Sequence, residues 1–386
     1  MTSRQRLIAA LDRRIPDRLP VTTHHVQDYF LRTYMQNAPL EEFWDVFGFD
    51  PIRWVACHKA DESKGHYPDP TQQKLGFLET RRICSDEWRI EVEEIAGEKY
   101  PTKKYNFITP KKTLWMTLQS NEHTSWVCER LIKEKNDIEI VAAYAPAPLC
   151  DVDEVNRNAE EYGERGIVRG LIPFFDVYGQ SGCWQDASVL FGIEQLMMES
   201  FTDPDWVHTF MQIMLDRKKP FLRSSAGAKF DVLEHGGGDA SSTVISPEIF
   251  DNFVAPYDKQ LIDLAHEAGQ RVVYHTCGGM MPFLERLADM NPDALETFSP
   301  VDMGGDTILA EAKTRIGDRV CMIGGFDQFH FFKNCTAQQT RDAVRRCFED
   351  AGAGGGYILC PSDHFFDADV DLLKAFVDEA KQCLYE

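Results

Sequence analysis

Short apolar segments alternate with longer amphipathic segments from residue 166 to the end of the chain. The apolar segments are rich in β-branched and aromatic residues, and they lie at residues 167–175, 232–235, 271–275, 294–298, 319–323 and 356–360. The segments between them place apolar residues at helical spacing, as in residues 247–268. Because a chain that alternates strands with helices forms a parallel sheet covered by helices, the pattern predicts an α/β fold.

The first 150 residues follow a different pattern. Residues 18–23 come after an amphipathic opening segment and are predicted to form one more strand of the same sheet, with a helix over residues 26–35. Residues 83–128 alternate apolar and polar side chains, which is typical of antiparallel strands. We therefore predict a single domain over residues 1–386, a (β/α)8 TIM barrel with an N-terminal helical and antiparallel β elaboration. The β-rich insertion is expected at residues 83–130.

Composition and charge narrow the classes of protein that fit this pattern. Hydrophobic residues make up 43% of the 386 residues and charged residues 27%, which is enough apolar material for a globular core. The net charge of −21 disfavours binding to nucleic acids and to anionic membranes. The opening segment has no continuous apolar stretch, and no stretch reaches the roughly 20 apolar residues needed to cross a bilayer. The 11 scattered cysteines indicate a reducing, cytoplasmic compartment.

Candidate chemistry lies where polar side chains end the predicted strands. In a parallel barrel these ends meet at one rim, where active sites are built. The polar residues at the strand ends are Glu234, His235, His275, Cys277, Glu296, Asp327 and Cys360. The sequence therefore predicts one functional rim.

A metal site is one interpretation of three of these residues. His275 and Cys277 are two positions apart, so their side chains project to the same side of an extended segment. With Cys360 they offer one nitrogen and two sulfur donors, a set that suits Zn²⁺. By our count two strands separate His275 from Cys360, a distance of about 14 Å in a flat sheet, so only a closed barrel lets the three converge. Without such convergence, Cys277 and Cys360 are ordinary core residues.

Four longer motifs carry a resemblance to a known family. They are Tyr274-His-Thr-Cys-Gly-Gly, Pro292-Asp-Ala-Leu-Glu, Arg319-Val-Cys-Met-Ile-Gly-Gly-Phe-Asp and Gly355-Gly-Tyr-Ile-Leu-Cys-Pro. These motifs resemble the uroporphyrinogen decarboxylase superfamily, and they are most similar to its zinc-dependent, corrinoid-linked methyltransferase branch. The resemblance covers residues 230–386 and, more faintly, residues 4–21.

The resemblance implies a fold, a metal and a partner. It implies zinc held by His275, Cys277 and Cys360, and a corrinoid (cobalamin) that exchanges a methyl group with a small substrate. The chain has no cobalamin-binding Asp-x-His-x-x-Gly motif, so the corrinoid is expected on a partner protein. The arginine-rich signature of the true decarboxylases is expected after the first strand, but residues 22–28 read Thr-Thr-His-His-Val-Gln-Asp.

The remaining rim residues are assigned roles in the expected methyltransferase. Glu234 and Asp239 flank the glycines at residues 236–238 and are predicted to be catalytic carboxylates. The residues expected to bind substrate are His24, Tyr178, Asp327 and His364. The expected substrate is a small thiol or methyl ether that accepts or donates the methyl group. The expected partner is a corrinoid protein, and neither a nucleic acid nor a membrane is expected to bind. Whether the chain forms a homodimer is left open.

The same residues also fit two alternatives. The first keeps the barrel but uses the carboxylates for a metal-free lyase reaction on a small carboxylate, as in a decarboxylase. The second is a zinc-bearing, corrinoid-binding module without catalysis. Metal content separates methyl transfer from the lyase, and methyl exchange with free methylcobalamin separates it from the binding module.

Overall fold

The fold is centred on one parallel sheet. The computed structural model describes residues 1–72 and 80–385. The strands of this sheet are β1 (Ile52–Val55), β2 (Ile167–Leu171), β3 (Val232–Gly236), β4 (Val272–His275), β5 (Ala294–Thr297), β6 (Cys321–Phe326) and β7 (Tyr357–Pro361). They pair in parallel in the order of the chain. The predicted α/β class and strands β2 to β7 are therefore confirmed, whereas β1 was missed in the sequence.

The predicted first strand is present as a short hydrogen-bonded segment. Val21 forms an isolated parallel bridge with Leu359 of β7, and the Thr22 amide donates to the Leu359 carbonyl at 2.9 Å. On the other side, the Asp50 amide, just before β1, donates to the Val21 carbonyl at 2.7 Å. The structure thus has a curled sheet of seven parallel strands, with this segment between its last and first strands. A complete eight-stranded barrel stays a prediction.

Helices follow most strands and cover the outside of the sheet. The helix Ala337–Ala351 begins with a capping box, in which the Thr336 and Gln339 side chains each accept a hydrogen bond from the other residue's backbone N–H. Two backbone N–H groups at the N-terminus of the helix thus have local partners. The helix Ser3–Leu11 begins in the same way. The α-helices are Ser3–Leu11, Asp28–Tyr34, Leu40–Phe47, Asp137–Tyr144, Val152–Tyr162, Cys183–Phe191, Ile193–Thr202, Pro204–Ser224, Pro247–Ile249, Ala255–Glu267, Leu284–Asp289, Leu309–Ile316, Gln328–Phe331, Ala337–Ala351 and Val370–Gln382.

The interior of the curled sheet is divided into an apolar and a polar layer. A buried cluster contains Leu7 and Leu11 of the first helix, together with strand residues that include Ile167, Val232, Val273, Ala294 and Ile358. Side chains two positions apart on a strand share a face, so the next interior residues form a second layer closer to the carboxyl ends. We call Arg169, Glu234, His275, Glu296 and Cys360 the interior polar layer. Strand alternation thus places four charged or imidazole side chains on top of an apolar floor, with which the Cys360 side chain also packs.

The predicted insertion contains an antiparallel sheet. Its strands are Arg89–Ile95, Thr102–Ile108, Thr113–Ser120 and Ser125–Glu129, paired in chain order. In the turn between the last two strands, the ring of His123 lies 4.4 Å from the ring of Tyr29 and 4.9 Å from that of Phe366. The insertion therefore reaches the two segments that follow the Val21 bridge and β7. The single-domain organisation itself stays a prediction.

Two small strand pairs complete the β-structure among the described residues. Tyr67–Pro68 pairs with Ile83–Cys84, and His58–Lys59 pairs with Leu149–Cys150, both in antiparallel fashion. Within residues 1–72 and 80–385, no helix is both long and apolar enough to cross a membrane.

Candidate functional site

Four buried side chains bring potential metal ligands together in the interior. One ligand atom each of His24, Glu234, His275 and Glu296 lies within 4.8 Å of the other three. Glu234, His275 and Glu296 come from the neighbouring strands β3, β4 and β5, and His275 is paired in register with Glu296. His24 follows the segment that bridges to β7. The curl of the sheet therefore collects donors from distant parts of the sequence.

The His275 ring is held on both sides. Its Nδ1 lies 2.8 Å from Glu296 Oε1, and its Nε2 lies 3.0 Å from Cys277 Sγ. Burial alone would lower the pKa of His275, but the contacts with Cys277 and Glu296 raise this pKa well above its ordinary value. His275 and Cys277 therefore lie together as the His-x-Cys spacing predicts.

Arg169 is the main site residue that sequence analysis missed. Its guanidinium donates to both Glu234 and Glu296, including a bond from Nη1 to Glu296 Oε2 of 3.1 Å. Its other face packs on the ring of Trp54, with 4.5 Å between Cζ and the ring centroid. An arginine inside the apolar strand Ile167–Leu171 was the available signal, because charged residues are rarely buried without a partner.

Arg169 also sets the charge of the two carboxylates. Burial would raise the pKa of Glu234 and of Glu296, but the positive charge of Arg169 and the contact with His24 lower both pKa values. Both side chains are therefore carboxylates at neutral pH, although Glu234 and Glu296 are almost completely buried.

Histidine rings extend from the interior polar layer towards the rim. His24 Nε2 lies 2.8 Å from Glu234 Oε2 and 3.2 Å from Glu296 Oε1. The His24 ring stacks between His275 and His364, with centroid distances of 4.9 and 5.7 Å. Burial and the nearby charge of His24 lower the pKa of His364 to about 4. His24 and His364, both predicted from the sequence, thus lie beside the donor cluster.

Cys360 belongs to the interior polar layer but not to the donor cluster. It lines the same small interior cavity as His24, Arg169 and Glu296, and burial raises the pKa of its thiol. The donor atoms of His275, Cys277 and Cys360 do not all lie within 4.8 Å of one another. The structure therefore brings together two of the three predicted zinc ligands and leaves the third further along the layer.

The other predicted site residues lie outside the donor cluster. Asp239 is half-buried and accepts hydrogen bonds from the Ser188 hydroxyl and from the Gln185 amide, the latter at 3.1 Å. Burial and the Asp239 charge raise the pKa of Tyr178, which is also half-buried. Asp327 caps the helix Gln328–Phe331, where it accepts a bond from the His330 amide at 3.1 Å. Asp327 thus has a structural partner already.

Gly236 allows β3 and β4 to approach each other at the site. Its φ is +108°, and a Cβ atom at this position would lie 2.3 Å from the carbonyl oxygen of His275. Only glycine combines this backbone conformation with that close contact. The first glycine of the 236–238 run therefore has a packing role next to a candidate ligand.

Gly236→Ala is expected to lower the free energy of unfolding by about 3 kcal/mol, because it combines backbone strain with a clash. Gly227→Ala is the matched control, since Gly227 has a φ of +83° but open space where a Cβ atom would lie. We expect Gly227→Ala to lower the free energy of unfolding by about 1 kcal/mol, because only the backbone conformation is unfavourable there. Urea unfolding measures both variants, and equal losses would contradict the role of the contact with His275.

Comparison with known proteins gives a family and a fold. A family model described as uroporphyrinogen decarboxylase (URO-D) matches residues 177–383, more than half of the chain. Uroporphyrinogen decarboxylase of Thioalkalivibrio sulfidiphilus is 29% identical over 167 residues, which cover 41% of this chain and 43% of that protein. Methylated-thiol–coenzyme M methyltransferase of Methanosarcina mazei is 24% identical over 206 residues, 52% of this chain and 49% of that protein. The chain thus matches about half, or less, of the length of these relatives.

A solved structure extends the likeness to the whole fold. The structure described as a methyltransferase from Methanosarcina mazei superposes with a TM-score of 0.63 at 16% identity and covers 99% of both chains. At this identity the match concerns the fold. Together with the family model and the methyltransferase relative, it confirms the resemblance inferred from the motifs.

Proposed function

Because the chain belongs to the uroporphyrinogen decarboxylase (URO-D) family, we propose that it is a zinc-dependent methyltransferase. It moves a methyl group between a small thiol or methyl ether and a corrinoid carried by a partner protein. The observation that carries the proposal is the position of the His275 ring, between the Glu296 carboxylate and the Cys277 sulfur. The similarity to a methylated-thiol–coenzyme M methyltransferase supports methyl transfer as the reaction.

The residues present fit a zinc ion. In a tetrahedral site with bonds of about 2.0 Å to nitrogen and about 2.3 Å to sulfur, the two donors lie about 3.5 Å apart. His275 Nε2 and Cys277 Sγ are 3.0 Å apart, so a small outward movement makes room for the ion. Glu296 accepts the Nδ1 proton of His275, so zinc would displace the proton on Nε2 and use this nitrogen as the ligand atom. Cys360, in the same layer, is the proposed third ligand.

Zinc supplies Lewis acidity, which favours the thiolate form of a bound thiol or stabilises the departing oxygen of a methyl ether. The protein's own residues orient and enclose the reacting groups. Glu296 fixes the tautomer and direction of the His275 ring, and Glu234 does the same for His24. Glu234 and Asp239 remain the proposed catalytic carboxylates. The residues proposed to contact the substrate are His24, Tyr178, Asp327 and His364.

The charge balance of the interior disfavours a substrate with several carboxylates, such as that of the true decarboxylases. A substrate with several carboxylates requires cationic side chains that are free to pair with it. Arg169, the arginine of the interior polar layer, is already bonded to Glu234 and Glu296. Residues 22–28 also lack the arginines of the decarboxylase signature. The corrinoid partner, a homodimer and the cytoplasmic location stay predictions.

Metal analysis and a methyl-transfer assay test the proposal. The purified protein should contain one zinc ion per chain and should transfer the methyl group of free methylcobalamin to at least one member of a thiol panel that includes coenzyme M. A metal content far below one zinc per chain would rule out the zinc mechanism. Full zinc content without any methyl exchange would instead favour the non-catalytic corrinoid-binding module.

Glu296→Gln is expected to weaken zinc binding by about 10- to 100-fold, because the amide orients the His275 imidazole less well than the carboxylate. Competition with a chromogenic chelator measures the affinity. The control is Glu248→Gln, which makes the same change on the exposed surface and should leave the affinity unaltered. An unchanged affinity in Glu296→Gln would show that Glu296 does not support the metal through His275.

A further inference from the structure

Two different donor sets lie next to each other in the interior. One consists of His275 Nε2 and Cys277 Sγ, with Cys360 in the same layer, and it offers soft sulfur ligands. The other consists of His24, Glu234 and Glu296, which offer only nitrogen and oxygen and which meet the first set at His275. Carboxylates and imidazoles are common metal ligands, so the residue types of the second set are suited to a divalent cation.

The second set even has the spacing of a metal site. His24 Nε2 lies 2.8 Å from Glu234 Oε2 and 3.2 Å from Glu296 Oε1. In an octahedral shell with bonds of about 2.1 Å, adjacent ligands lie about 3.0 Å apart. The spacing of these donors therefore suits a divalent ion as well as the hydrogen bond and ion pair that the structure shows.

Arg169 occupies this place instead. Its guanidinium donates to both carboxylates, and its position over the Trp54 ring fixes the side chain from the other face. Arg169 is 2% exposed, so water does not screen its charge, and a divalent ion bound by Glu234 and Glu296 would lie next to a buried cation. Each carboxylate has also committed oxygen atoms to the guanidinium.

We propose that Arg169 determines where the metal binds: it keeps divalent ions out of the His24, Glu234 and Glu296 set and thereby directs zinc to His275 and Cys277. This inference rests on the proposed zinc site. It assigns to Arg169 a positioning role, since the residue acts on the carboxylates and not on the reacting atoms. The chemical consequence is selectivity for a thiolate-liganded ion over ions that prefer oxygen.

Titration with Co²⁺ tests the proposal directly, because bound Co²⁺ absorbs in the near ultraviolet when a thiolate is among its ligands. The wild-type protein, stripped of metal, should bind one equivalent of Co²⁺ with thiolate absorption. Arg169→Met should bind one further equivalent without additional thiolate absorption. Arg169→Lys, which keeps a cation in place, should bind one equivalent only. A single equivalent in Arg169→Met would overturn the proposal.

A matched control removes the same type of side chain elsewhere. Arg217 is also buried, bonded to a carboxylate (Asp176) and stacked on an aromatic ring (Phe175). Arg217→Met should gain no Co²⁺, because this location offers no second set of donors among the residues that the structure describes. A further equivalent in Arg217→Met would show that the gain reflects loosening of the protein and would overturn the assignment to Arg169.

A second variant keeps the test valid if Arg169→Met does not fold. Arg169→Met combined with Glu234→Gln leaves one buried carboxylate, and the amide oxygen still serves as a ligand. The further equivalent of Co²⁺ is expected here too, with lower affinity, and its absence counts against the proposal. If wild-type protein shows no thiolate absorption, the proposed zinc site fails, whereas the role of Arg169 is judged by the difference between variant and wild type.

Discussion

Cys277→Ser is expected to lose zinc and to slow methyl transfer by about 1,000-fold or more, because a metal centre contributes several kcal/mol to the stabilisation of the transition state. Serine has nearly the same size as cysteine but is a poor zinc ligand at neutral pH. Cys277 is half-buried at the end of its segment, so we expect little change in stability. Zinc analysis and single-turnover assays with methylcobalamin measure the two losses.

A second half-buried cysteine provides the control for this substitution. Cys335 lies outside the interior polar layer. Its Sγ donates to the Phe331 carbonyl at 3.6 Å. Cys335→Ser should keep the zinc content and the rate of the wild-type protein. If Cys277→Ser also keeps them, the metal does not bind at the His-x-Cys pair.

Arg169→Met is expected to lower the free energy of unfolding by about 3–5 kcal/mol, because it leaves two buried carboxylates without their cation. The reference is Arg319→Met, which removes an ion pair between two exposed side chains, those of Arg319 and Asp289. That change should cost less than about 1 kcal/mol. Urea unfolding at neutral pH compares the two variants. If Arg169→Met lowers the free energy of unfolding by less than about 1 kcal/mol, groups other than Arg169 must neutralise the two buried carboxylates.

The loss of stability at acidic pH should become smaller in this variant. In the wild-type protein the folded-state pKa of Glu234 is lowered from 4.5 to about 2. The stabilisation from this group is therefore complete above pH 4.5 and is lost as the pH falls towards 2. Without Arg169, the largest cause that lowers this pKa is lost, whereas the contact with His24 remains, so the folded-state pKa of Glu234 rises. Arg169→Met should therefore lose less stability than the wild-type protein as the pH falls from about 5 to about 3, as measured by urea unfolding at both pH values.

The sequence predicted those parts of the molecule that follow from local pattern. Alternation of strands and helices indicated β2 to β7, and the His275 and Cys277 spacing indicated the pair that lies together. The strand β1 was missed because it has four residues, includes Arg53 and Trp54, and follows a proline. Such a short segment has too little alternation to be recognised as a strand.

The missed parts of the site depend on how the strands curve. Glu234 and Glu296 were identified as strand-end residues, but their joint contact with Arg169 requires β2, β3 and β5 to face a common interior. Arg169 lies two positions after an apolar interior residue, so periodicity alone shows which face of the sheet its side chain is on but not which residues it contacts. Likewise, the position of Cys360 relative to Cys277 depends on the curvature of β5 to β7, which no local pattern encodes.

The His123 ring, at the tip of the inserted sheet, contacts the rings of both Tyr29 and Phe366. Tyr29 comes five residues after His24, and Phe366 comes two residues after His364, whose ring stacks on that of His24. The tip of the hairpin therefore ties together the two chain segments that carry these histidines, so a change in the inserted sheet can shift both rings at once.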